Sequence, residues 1–462
     1  MKIKLSNLGI LRQAEFTLGD LTIICGGNNT GKTYATYTLF GFLLLWRQKF
    51  SIEISNETID QLLTNGVIQV NVQDYIHIAQ DVLSQACKVY TQELHRIFAT
   101  PVDRFENTTF SIDLDFNQIN LELPYNRQIS SEKISLLSLF KESYSLNLVI
   151  TLLVEKIEVK LPIHILKNLI ADSLKEIIFA PLLPRPFIAS AERTGAAIFR
   201  KELNFARNRL LEEMGQVSKD INPLELLLKE YEDYALPVKM NVDFTRNLET
   251  IAKKTSFLQT QYPAILENFS DIIGGEYTVT RHDELYFLPR HKKGLKLSMD
   301  ESSSAVRSLL DLGFYLRHEA QRGDLLLIDE PELNLHPENQ RRIARLVARL
   351  IHVGIKVFMT THSDYLIKEL STLIMLNQED LYVRSIAERE GYCTEELLNI
   401  DQVRVYIAQE EQVLLEGKRR KTKIHTLVPA NIDQQLGIEV QSFDSAIETM
   451  NRIQSAILWR EV

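Results

Sequence analysis

Hydrophobic and polar positions alternate at the start of the chain and then stop alternating. Ile3, Leu5 and Leu8 stand between polar residues, and Ala14, Phe16 and Leu18 repeat the pattern. Each stretch predicts a half-exposed strand of an antiparallel pair. Leu21–Cys25 is nearly all apolar, which predicts a strand buried on both faces. The apolar run 34–46 predicts a helix over about 32–46; it is too short to span a bilayer. Residues 50–180 read as mostly helical, interrupted by a strand pair at 108–116 and 119–123. Pro181, Pro184 and Pro186 predict an extended return. A long charged helix is expected over 196–235, broken near 221–223. A hairpin follows at 276–281 and 284–289, joined through His282 and Asp283, with a further strand at 294–298. A helix is expected over 303–320, a buried strand at 324–328, a helix at 338–353, a buried strand at 356–360, and a closing helix at 444–459.

The 462 residues are 45% hydrophobic and 24% charged, which excludes wholesale disorder. Lys and Arg number 52 against 61 acids, a net charge of −9. That balance excludes a globally basic nucleic-acid binder and leaves room for a local basic groove. Cys25, Cys87 and Cys393 form no CxxC pair and no zinc spacing. The expectation is a reducing, cytoplasmic setting with no membrane partner.

The run Gly26-Gly27-Asn28-Asn29-Thr30-Gly31-Lys32-Thr33 matches G-x-x-x-x-G-K-[ST] and sits between an apolar strand and a helix. Glycines let backbone N–H groups approach phosphates closely, and the helix N-terminus favours the anion. Lys32 is the candidate for the β and γ phosphates of ATP, and Thr33 for Mg2+. A second apolar strand ends in Asp329-Glu330. Asp329 is placed to complete the Mg2+ shell, and Glu330 to orient or deprotonate an attacking water.

The longer run, from Ile328 through Asp329-Glu330-Pro331-Glu332-Leu333-Asn334-Leu335-His336-Pro337, is followed by Thr360-Thr361-His362-Ser363. With the phosphate loop, these residues resemble the ABC-type heads of SMC, RecF and OLD-like ATPases, an AAA-family group here lacking a Toprim nuclease. The resemblance spans roughly 1–46 and 275–462. It implies an α/β P-loop head, a mixed sheet with flanking helices, carrying an inserted, mostly helical lobe. The expected layout is 1–48 and 275–462 as the two lobes of the head, 49–180 as the insertion, and 181–274 as a return segment with long helices. It also implies that Asn334 lies in the D-loop, that His362 touches the γ-phosphate, and that a signature segment is donated across a dimer. Ser302, Ser303 and Ser304 stand where that segment belongs, although the wording departs from LSGGQ; helix capping is the plainer alternative.

The phrase Ala189-Ser190-Ala191-Glu192-Arg193-Thr194-Gly195 resembles the "PAERTG" of OLD-like defence ATPases. Arg193 is a candidate for contact near the nucleotide or with the dimer mate, against a structural ion pair as the alternative. No lid glutamine stands out. Two basic features, 418–423 and the arginines 341, 342, 345 and 349, are candidates for nucleic-acid phosphates or for solvated faces. The resemblance extends to the ATPase subunits of antiphage systems such as Septu and PARIS. It implies a slow ATP hydrolase acting as a homodimer or higher homo-oligomer. A separate nuclease or toxin effector would be its partner, with a nucleic acid or phage protein as trigger. A RecF- or SMC-like DNA-repair ATPase is the alternative.

Overall fold

The computed structural model describes residues 1–119, 121–131, 134–153, 162–199, 234–280, 284–292, 294–414, 420–439 and 449–457. The chain divides into two compact units. One comprises Leu5–Gly41, Leu94–Asn107 and Pro186–Val462; the other comprises Met1–Lys4, Phe42–Glu93 and Thr108–Arg185. Of the return segment expected over 181–274, residues 181–185 fall in the second of these and the part from Pro186 on in the first.

That unit is built on a curled mixed sheet. Its strands run in the order Pro186–Ala189, Leu325–Asp329, Lys356–Thr361, Leu21–Cys25, Val403–Val413, Thr422–Pro429 and Leu11–Thr17. The first five are mutually parallel, and Val403–Val413 turns back on Thr422–Pro429 as an antiparallel pair. Leu21–Cys25 and Leu325–Asp329 are buried at every position, as an apolar strand covered on both faces must be. Register then does the positioning. Ile328 lies beside Ala189, Asp329 beside Thr360, and Thr361 beside Cys25. The carboxyl ends of four strands meet at one edge, where open α/β sheets bind ligands.

Helix Pro337–His352 packs Ile343, Leu346, Val347, Leu350 and Ile351 into the core. His336 caps it and Pro337 fills its first turn, where a missing N–H costs nothing. Its arginine face is committed within the chain. Arg341 Nε lies 2.7 Å from Glu369, and Arg345 and Arg349 lie 2.7 and 2.9 Å from Glu396. Both carboxylates are buried, so these arginines are held as structural partners. Desolvation opposes ionisation of Glu396, but Arg345, the Cys393 N–H and Arg349 outweigh it and lower its pKa.

The helix expected over 303–320 is broken into Ser304–Ser308, Leu310–Phe314 and a π turn at Tyr315–Glu319. Ser256 closes the end of this helix: its Oγ donates to Leu316 O and its N–H to Arg317 O, two carbonyls of the last turn that have no partner within the helix. The hairpin Gly275–Val279 with Leu285–Pro289 forms as expected, and the third strand shrinks to Leu297–Ser298. Residues 200–233 of the expected charged helix, His282 and Asp283, residues 418 and 419 of the basic run, and 440–448 and 458–462 of the closing stretch lie outside the described residues.

The second unit carries more strand than its sequence pattern shows. Val67–Asn71, Asn147–Leu152, Ile134–Lys141 and Tyr125–Ser131 form an antiparallel sheet in that order. Helices Asn56–Asn65, Ala79–Gln92 and Ile163–Phe179 accompany it. Leu137, Leu139, Leu148 and Ile150 are fully buried at period two. Of the expected strand pair, Thr109–Asp113 forms, but 121–123 is a turn and bend, and the strand begins at Tyr125. Phe42, Trp46, Phe50 and Phe179 make an aromatic cluster, with Phe50 and Phe179 edge to face at 4.4 Å. Among the described residues no helix is long and apolar enough to cross a membrane.

Removing one partner of a buried ion pair costs about 3–5 kcal/mol. Glu396→Ala is therefore expected to lower unfolding free energy by about 3 kcal/mol, read from the urea midpoint at neutral pH. The depressed pKa makes this contribution full above the carboxyl's ordinary range and lost as pH falls through the folded value. The mutational difference should shrink in acid.

Candidate functional site

The loop 26–31 joins the buried strand Leu21–Cys25 to the helix Lys32–Lys49. Two of its glycines are required by geometry. Gly26 has φ +144°, and a Cβ there would stand 2.5 Å from Ala408 O; Gly31 has φ +97°, and its Cβ would stand 2.7 Å from Leu11 Cγ. Asn29 adopts the left-handed region at φ +60°, which asparagine tolerates. Lys32 is buried, and its Nζ donates to Gly26 O at 3.0 Å and Gly27 O at 2.7 Å. Desolvation lowers the Lys32 pKa, and the carboxylates of Glu330, Asp329 and Glu332 oppose that shift.

The second apolar strand delivers Asp329 to the same place. Thr33 Oγ1 donates to Asp329 Oδ2 at 3.3 Å, and Thr360 donates to the other oxygen. Burial pushes the Asp329 pKa up to about 6, against the Thr360 hydrogen bond. A hydroxyl and a carboxylate converging this way are two hard oxygen donors. They suit Mg2+, which keeps several waters and takes few protein ligands.

Glu330 leaves the strand with φ +52°, a strained value for a side chain of its size. Such a conformation costs roughly 1–3 kcal/mol and persists only where neighbours over-determine it. Here the Glu330 N–H donates to Thr360 O at 3.2 Å, and its carbonyl accepts from Arg193 Nη2 at 2.9 Å. The turn brings a Glu330 carboxylate oxygen within 3.5 Å of His362 Nδ1.

His362 follows the strand Lys356–Thr361, and Glu332 holds it. Glu332 Oε1 accepts from the His362 N–H at 2.7 Å and from Thr361 Oγ1 at 2.8 Å, and lies 3.3 Å from His362 Nδ1. A carboxylate accepts only, so this contact suits a proton on Nδ1. Residues 28–34, Ile10, Glu330 and His362 line a crevice of about 640 Å³, a size that admits a nucleotide.

The sequence-based candidates divide clearly. Gly26, Gly27, Asn28, Asn29, Thr30, Gly31, Lys32, Thr33, Asp329, Glu330 and His362 are brought together. Asn334 is exposed with φ +60° and does not line the crevice. Ser302, Ser303 and Ser304 do not line it either. Ser302 Oγ donates to Ser298 O at 2.7 Å, and Ser303 caps the short helix Ser304–Ser308. Arg193 does not line the crevice. Its side chain is enclosed and donates to the carbonyls of Ser190, Ser308, Asp329 and Glu330.

Glu332 was missed as a functional residue, although the second Glu of the D-E-P-E run was a visible signal. Glu192 was missed too: its charge adds to the rise at Asp329, and its carboxylate accepts from Tyr37 Oη at 2.8 Å.

A model of the AAA ATPase domain matches residues 1–367. The chain belongs to the AAA ATPase domain family. It is also similar, faintly, to solved SMC heads. The SMC head domain from Thermotoga maritima shares 10% identity over 93% of this chain and 98% of that one, at a TM-score of 0.32. An SMC head with an extended coiled coil bound to the C-terminal domain of ScpA derived from Pyrococcus furiosus shares 13% over 98% of each chain, at 0.30. An SMC head bound to the C-winged helix domain of ScpA shares 12% over 92% and 97%, at 0.31. No curated protein matches the chain.

Near the site of this ATPase domain lies Asp311, fully buried, with Thr245 Oγ1 donating to one oxygen at 3.0 Å and, among the described residues, no hydrogen-bond partner on the other. Burial raises its pKa from 3.8 to about 7, against the Thr245 bond and the Arg193 charge. A raised carboxyl binds more protons folded than unfolded, so its contribution falls as pH rises from 3.8 toward 7 and is flat above. Asp311→Asn should flatten that component of the stability curve, measured as urea midpoint against pH. An unchanged slope would exclude Asp311 as its source.

Proposed function

We propose that this chain is a slow, switch-like ATP hydrolase that serves as the sensor or regulatory subunit of an antiphage defence complex. The observation that carries the hydrolase reading is the convergence of Lys32, Thr33, Asp329, Glu330 and His362 on one crevice. Lys32 and the backbone N–H groups of the loop bind the β and γ phosphates of ATP. On ligand entry the ammonium exchanges its loop carbonyls for phosphate oxygens. Thr33 and Asp329 would hold Mg2+, which neutralises phosphate charge when bound. Glu330 orients a water for in-line attack and accepts its proton. His362, fixed through Nδ1 by Glu332, presents Nε2 to the γ-phosphate.

Asn334 and the 302–304 segment do not line their own crevice, which favours their use against a second copy. The reading is therefore a head-to-tail homodimer around two ATP molecules, able to stack into higher homo-oligomers. ATP closes it and hydrolysis opens it, a switch that releases a separate nuclease or toxin effector. The trigger is a nucleic acid or a phage protein. The DNA-repair alternative loses support on helix Pro337–His352, because Arg341, Arg345 and Arg349 are held by Glu369 and Glu396.

Glu330→Gln should keep Mg-ATP binding and lose at least about 100-fold in kcat. With Mg-ATP its measured mass should be that of a dimer or larger, and a strict monomer would sink the head-to-tail model. Tagged chain recovered from its host should carry a nuclease or toxin that ATP hydrolysis releases. Recovery with nucleic acid alone would move the repair reading ahead.

A further inference from the structure

Arg193 is a buried cation that the chemistry above does not use. Its guanidinium binds three segments at once. Nη1 donates to Ser190 O and Asp329 O, both at 2.7 Å, Nη2 to Glu330 O at 2.9 Å, and Nε to Ser308 O at 2.6 Å. Ser190 follows the strand Pro186–Ala189, and Ser308 ends the short helix Ser304–Ser308. Ser308 Oγ also donates to Leu333 O at 3.1 Å, in the turn that Glu330 opens. The strained Glu330 backbone and the serine-rich helix thus share one rigid planar group. A guanidinium presents its donors in a fixed fork, which an ammonium on a flexible stem cannot reproduce.

We propose that Arg193 is a positioning residue that transmits the place of the 302–308 segment to the Glu330 carboxylate. If that helix shifts, Ser308 O moves. The Glu330 carbonyl then follows, or a hydrogen bond to a buried charge is lost. Whatever engages the serine-rich segment therefore sets how Glu330 meets its water. The inference rests on the hydrolase reading of Glu330.

The test is steady-state ATP hydrolysis by the full chain carrying Arg193→Lys, Glu330→Gln, or both, each well below its own Tm. Misplacing a catalytic group by about 1 Å costs up to about 100-fold. The expected result for Arg193→Lys is a kcat at least about 10-fold lower with little change in KM. In the Glu330→Gln background the same substitution should cost nothing further, because its route to the rate is already gone. Losses that multiply, an unchanged kcat, or a rise in KM without a fall in kcat would overturn the inference alone. Absence of hydrolysis in the unmodified chain would overturn both it and the hydrolase reading. Should Arg193→Lys fail to fold, Arg193→Gln keeps a planar donor group and loses the guanidinium fork. It should lower kcat in the same Glu330-dependent way, and an unchanged kcat there overturns the proposal.

Discussion

The parallel pairing of Leu325–Asp329 with Lys356–Thr361 is the constraint on which the crevice depends. It sets Asp329 against Thr360, so one hydroxyl anchors the carboxylate and the next main-chain step carries His362 to the same edge. The pairing of Lys356–Thr361 with Leu21–Cys25 then brings the phosphate loop alongside. A slip of one residue in either ladder would turn Asp329 or Thr361 to the opposite face. Burial on both faces is what prevents that slip, because every alternative register exposes apolar surface or buries a polar group.

Charge is organised around this edge in two layers. Lys32 and Glu330 line the crevice, with Asp329 buried beside them. Arg193 and Asp311 are buried behind them. An unpaired buried charge is costly, and Arg193 avoids that cost by spending its donors on carbonyls and lying near acidic groups. Desolvation lowers its pKa, while Asp311, Asp329, Glu332 and Glu330 oppose the shift. The result is a rigid floor under a crevice whose own groups are left free to exchange partners.

The arginine face of Pro337–His352 shows the same logic in a different place. Glu369 and Glu396 are buried acids that need cations, and the helix supplies them. Arg345 and Arg349 of a basic stripe at helical spacing are thereby drawn in, while Arg341 reaches Glu369 from a part-exposed position. Counted along the chain it resembles a phosphate-binding face; packed, it is a fastening between the helix and the segments that follow.

The sequence by itself determined which residues meet at the crevice. The phosphate loop, Asp329, Glu330 and His362 each follow a short apolar strand, and strand burial with glycine geometry leaves little freedom in where such residues point. It also determined the hairpin at Gly275–Val279 and Leu285–Pro289 and the helix Pro337–His352, whose periodicity is local. Tertiary structure alone decided the sheet in the unit containing Phe42–Glu93, because short apolar runs serve strand or helix equally until a partner strand is present. It decided the breaks between Ser304 and Glu319, and it brought Ser256 from distant sequence to the carbonyls of the last turn. It decided that Arg193 supports the site from below. A guanidinium's role is set by which carbonyls surround it, and those carbonyls come from positions 190, 308, 329 and 330, brought together only by folding.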